Sequence, residues 1–137
     1  MLVPFPIAFL STALLTDIAF WLTQDFFWAR ASLWLVGAGF VAGSAAATAG
    51  ILDFMALAGA RNSRAGHIHA AGNTLVLMLA FVSWLVRLQD VGGAVLPWGL
   101  SLSVLTVLIL MVTGWMGGEM VYRRGVGVAG GGRPPPG

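Results

Sequence analysis

Four long apolar stretches follow one another along the chain, at residues 4–23, 31–58, 67–88 and 97–122, with short polar runs between them. Each can span the roughly 30 Å of bilayer hydrocarbon, which takes about 20 helical residues. The pattern predicts an all-α integral membrane protein, a four-helix antiparallel bundle over residues 1–122. Pro4 and Pro6 suit the start of the first helix, where their missing N–H groups are not needed. The run Gln24-Asp25-Phe26-Phe27-Trp28-Ala29-Arg30 reads as a loop with aromatics at the membrane interface. Gln89-Asp90-Val91-Gly92-Gly93 supplies another turn, and Pro97-Trp98 opens the last helix. Residues 123–137 form a Gly- and Pro-rich tail whose composition favours disorder.

Composition sharpens this picture. The chain is 58% hydrophobic and 9% charged, against roughly 25% charged residues in soluble domains. A water-soluble globule is excluded. The basic balance comes from seven arginines set against five acids. Arg61, Arg64, Arg123, Arg124 and Arg133 fall on the side shared by the N-terminus, the 59–66 loop and the tail; Arg30 and Arg87 fall on the other. The positive-inside rule then places both termini in the cytoplasm. No clustered basic face calls for nucleic acid, so the expected partners are the lipid bilayer and other membrane-protein subunits. With no cysteine, disulfides, thiolate metal sites and covalently attached haem are excluded. The first apolar stretch has no basic n-region and contains Asp17, so it reads as a retained helix rather than a cleaved signal.

Small residues mark where helices meet, because close backbone approach replaces the hydrophobic effect between helices in lipid. Gly39, Gly43, Ala46, Gly50 and Asp53 lie on one stripe of the second helix, and Gly114 and Gly118 stand one turn apart beside Glu119. On the third helix, His69 and Asn73 are one turn apart, and Arg87 lies five turns from His69 on the same azimuth, with Ala80 between. His67 points roughly the opposite way, so His69 is the histidine expected to face inward.

Ionisable groups inside a membrane cost at least about 2.5 kcal/mol each near its centre and want a partner or a role. Asp17 is expected to pair with Arg87 or Arg30, and His69 and Asn73 to join Asp53 and Glu119 in an interfacial network. The sharper reading of His69 is an axial ligand to haem b or another tetrapyrrole, since four-helix membrane bundles often hold haem between histidines. Both histidines sit on one helix and cannot clamp one iron. A partner methionine (Met55, Met116 or Met120) or five-coordinate ligation by His69 alone are the alternatives. Ser11, Ser44, Ser83, Ser101 and Ser103 have no histidine at helical spacing, and the histidine pair lacks the third ligand and general base of a metalloprotease helix. The expectation is that the protein is not an enzyme.

Several motifs together resemble one bacterial family. They are Met1-Leu2-Val3-Pro4-Phe5-Pro6-Ile7-Ala8, Asp17, Trp28-Ala29-Arg30-Ala31-Ser32-Leu33-Trp34, Gly50-x-x-Asp53-Phe54, His69-x-x-Gly72-Asn73, and Gly114-Trp115-x-Gly117-Gly118-Glu119-x-Val121-Tyr122-x-x-Gly125-Val126-Gly127-Val128. The chain resembles, nearly throughout as far as Val128, the membrane family catalogued as domain of unknown function 2231. The resemblance implies a four-helix inner-membrane protein, with relatives fused to or near cytochrome c domains and sugar dehydrogenases. Members usually begin with His-Pro just before the stretch matching Met1, and many have a histidine where this chain has Pro4. If the family holds haem through an N-terminal histidine and the one matching His69, then either the true start lies upstream of Met1 or this member does not ligate in that way.

The leading expectation is a non-catalytic integral subunit or accessory protein of a redox or photosynthetic electron-transfer complex, holding one tetrapyrrole at His69. One alternative is a small transporter or proton conductor using Asp17, Asp53, His69 and Glu119. Another is a purely structural bundle that docks partners.

Overall fold

The computed structural model describes residues 2–56 and 64–124. They form four long helices: α1 (Pro4–Thr23), α2 (Phe26–Ala56), α3 (Arg64–Gln89) and α4 (Leu100–Arg124). No strand occurs among the described residues. The first three contain stretches long and apolar enough to cross a membrane, and α4 does so together with the turn before it, over Val95–Met116.

Only Gln24 and Asp25 join α1 to α2, so α2 begins five residues before the position expected from the apolar pattern. The aromatic run is its first turn. Asp25 caps it, with Oδ1 accepting from the backbone N–H of Phe27 at 2.9 Å, as an N-cap carboxylate does. Gln24 closes α1 in the left-handed conformation, φ 55°. Its backbone N–H donates to the Phe20 carbonyl at 2.8 Å, and its side-chain amide donates to the Trp21 carbonyl at 3.0 Å.

The last helix also starts differently from expectation. A π-helical turn, Val95–Gly99, precedes α4, and Leu96 inside it has extended backbone angles. The Leu96–Pro97 peptide is cis. The Gly99 N–H reaches back five residues to the Ala94 carbonyl at 2.9 Å, which closes the wider turn. Pro97 has no N–H to offer a regular helix at this point.

The helices pack in a ring, α1 against α2, α2 against α3, α3 against α4 and α4 against α1. A Cβ at Gly39 would meet Leu10 and one at Gly43 would meet Leu77 and Pro6, while one at Gly37 would meet Trp84. These contacts run in opposite chain directions, so sequential helices are antiparallel. The small-residue stripe of α2 works as a seam only in part. Gly39 and Gly43 are buried and Ala46 is half-buried, but Gly50 is exposed with nothing near it. Gly114 likewise faces open space. The side chains of Asp53, Glu119 and Met120, and everything expected of residues 57–63 and 125–137, lie outside the described residues.

Many large apolar side chains face outward, among them Leu22, Trp34, Met78, Met111 and Trp115. On a soluble protein such a surface would drive association; facing lipid it costs nothing. The interior combines a few apolar side chains, such as Leu10, Phe20 and Val76, with many polar ones. Thr16, Asp17, Ser32, Ser83, Arg87, Ser103, Thr106 and Thr113 are all buried.

Candidate functional site

The buried face of α1 carries Pro6, Leu10, Ala13, Thr16, Asp17 and Phe20, steps that keep one stripe inward. Asp17 lies six residues before the end of α1, about 9 Å below it. On α3, Val76, Ala80, Ser83 and Arg87 recur at steps of four and three and are all buried. These two faces meet across the bundle. Arg87 Nη2 donates to Asp17 Oδ2 at 2.6 Å, and neither side chain has any exposed surface.

The other two helices complete the layer with hydroxyls. Ser32 of α2 donates to Asp17 Oδ1 at 2.5 Å, and Ser103 of α4 donates to Asp17 Oδ2 at 2.5 Å. Arg87 Nη1 donates to the Ser83 carbonyl at 3.2 Å and also to Ser83 Oγ. Its Nη2 reaches Ser103 Oγ at 3.3 Å. Every helix thus gives at least one group to a single polar layer. The guanidinium needs Gly99 beside it, because a Cβ there would stand 2.9 Å from Nη2 and 2.7 Å from the Ala94 carbonyl oxygen. Only Arg87 Nε has no hydrogen-bond partner among the described buried groups.

Of the two arginines weighed for Asp17, Arg87 is the one in contact; Arg30 is exposed near the start of α2. Ser32, Ser83 and Ser103 were not anticipated in this role. Ser83 could have been found, standing one turn before Arg87 on the same stripe. Ser32 and Ser103 leave no mark in the sequence, since a hydroxyl within an apolar helix usually bonds its own backbone.

The second polar group lies toward the other end of α3. His69 is half-buried and 18 residues from Arg87, about 27 Å along the helix. Its Nδ1 donates to the Thr113 carbonyl of α4 at 3.0 Å. A carbonyl can only accept, so Nδ1 carries the proton and Nε2 is the acceptor. Asn73 Nδ2 donates to that Nε2 at 2.9 Å. Both ring nitrogens are therefore engaged. A Cβ at Gly72 would collide with the Thr113 methyl, so α3 and α4 are in close contact at this level. Met116 is half-buried nearby on α4, and His67 is exposed.

An apolar layer separates the two polar groups. Leu10, Val76 and Ala80 form a buried cluster with Phe40, Ile109 and Leu110 packed against it. Among the described residues no cluster of three His, Asp or Glu side chains could hold a metal ion.

A family model described as "Predicted membrane protein (DUF2231)" matches residues 1–130. No curated protein and no solved structure matches the chain.

Proposed function

Because the chain belongs to the DUF2231 family of predicted membrane proteins, we propose that it acts as a non-catalytic integral subunit or accessory protein of a membrane electron-transfer assembly. The redox setting comes from the family resemblance. The non-catalytic part rests on one observation: the Asp17 carboxylate is enclosed by Arg87, Ser32 and Ser103, one donor from each of the other three helices. A carboxylate held by three donors and cut off from water is a clamp, and nothing frees it to pick up or release a substrate.

The same geometry weighs against the conducting alternative. A proton path would need a chain of polar groups from Asp17 to His69, and the Leu10–Val76–Ala80 layer lies between them. The tetrapyrrole reading needs Nε2 of His69. The Nδ1 bond to a carbonyl is the way a ligating histidine is commonly oriented, but Asn73 occupies Nε2. As arranged, these residues do not fit an axial ligand set, so no step of the proposal runs through such a group.

Extraction of the full chain in a mild detergent tests the proposal. It should migrate with other membrane proteins in an assembly containing redox components. A monodisperse free monomer, or a partner set with no redox protein in it, would overturn this reading. Optical spectra settle the cofactor separately. If His69 takes a haem, Asn73→Ala should strengthen a Soret band and His69→Ala abolish it. Featureless spectra for wild type and both variants would remove the tetrapyrrole.

A further inference from the structure

One turn from the ion pair, on the side facing His69, the four helices leave a cavity of about 10 Å³. Its walls include Leu10, Val36, Ala80, Ser83, Ser103 and Thr106, all buried. That is about the space one water needs, and a water also needs two to four polar partners. The hydrogen bonds already made leave matching valences here. Ser83 Oγ accepts from Arg87, and its own O–H has no acceptor among the described residues. Thr106 Oγ1 donates to the Leu102 carbonyl at 2.7 Å and has no donor to it among the described residues. Ser103 Oγ donates to Asp17 and keeps a lone pair besides the one facing Arg87.

We propose that this cavity is a binding site for one resident water molecule, which accepts a hydrogen bond from Ser83 and donates to Thr106 and Ser103. The water extends the Asp17–Arg87 layer by a turn and ties α3 to α4 by bridging Ser83 to Thr106 and Ser103. A hydroxyl facing a dry gap in a bilayer interior would forfeit a bond that the bridging water supplies. The site stands whatever assembly the protein serves.

Water-edited solid-state NMR of the full chain in lipid bilayers tests it. Magnetisation from water should reach the Thr106 and Ser83 side chains several-fold faster than it reaches Val76, an equally buried neighbour. Ala80→Val adds two methyl groups to the cavity wall and should slow transfer at Thr106 to the rate at Val76. Should that variant not fold, Thr106→Val keeps the shape, removes an acceptor, and should slow transfer at Ser83. Wild-type transfer to Thr106 no faster than to Val76 would show a dry cavity and end the proposal. Undiminished transfer in the variant that folds would end it too, by placing the water elsewhere.

Discussion

Asp17 and Arg87 neutralise each other in a place where neither could stay alone. Taking away one member of a buried pair leaves the other charge without compensation, a loss of about 3–5 kcal/mol, whereas replacing both by apolar groups is often tolerated. Asp17→Ala should therefore destabilise the bundle by that order, read as a lower midpoint in detergent unfolding. The double variant Asp17→Leu/Arg87→Met should recover most of the loss. An Asp17→Ala protein no less stable than one altered at outward-facing Leu108 would show that the pair contributes nothing. Arg87→Lys should behave more like a deletion than a conservative change. One ammonium cannot reproduce guanidinium bonds aimed at Asp17, Ser83 and Ser103 together.

Single helices are tuned by what stands opposite their glycines. At Gly99 a methyl group would press on a backbone carbonyl and on the Arg87 guanidinium, neither of which can easily retreat. Gly99→Ala should cost about 1–3 kcal/mol, the usual range for overpacking, and Gly72→Ala should loosen α3 from α4 at the His69–Thr113 contact. Gly50 and Gly114 face open space inside helices. There the only change is intrinsic helix propensity, so Gly50→Ala and Gly114→Ala should stabilise by up to about 1 kcal/mol. Thermal unfolding of the four variants separates the classes, and equal responses would mean that the packing around Gly99 and Gly72 is not as described. The length of α2 belongs to this scale as well. Its 31 residues span about 46 Å, more than the hydrocarbon needs, and residues 48–52 near one end are exposed on every side.

For the molecule as a whole, the arginine distribution makes a directional prediction that the fold alone does not. By their place in the sequence, five of seven arginines fall on one side of a four-crossing topology, from which the positive-inside rule predicts cytoplasmic termini. The absence of native cysteine allows a clean check. In intact cells an impermeant thiol reagent should label Asp25→Cys, and it should reach Arg133→Cys only after permeabilisation; the reverse pattern would invert the topology. With its polar groups split by an apolar layer, the bundle should also leave proteoliposomes as proton-tight as protein-free ones. A leak that disappears in Asp17→Asn would restore the conducting alternative.

The periodic hydrophobicity was enough to determine that four helices cross a membrane, because a bilayer admits few other solutions for uninterrupted apolar segments. It also placed His69, Asn73, Ala80 and Arg87 on one face of α3, since helical spacing is a local property. The start of α2 was misread because interfacial aromatics belong equally to a loop or to a first helical turn, and the Asp25 cap decides between them. What joins whom was beyond the reach of spacing. The choice of Arg87 over Arg30, the inclusion of Ser32 and Ser103, and the engagement of both His69 nitrogens depend on the depth and rotation at which separate helices meet. Those are fixed by packing, here by Leu10 against Gly39, Leu77 against Gly43 and the Gly99 turn that admits the guanidinium. Membrane insertion follows from each segment alone, while the polar layer exists only where four segments come together.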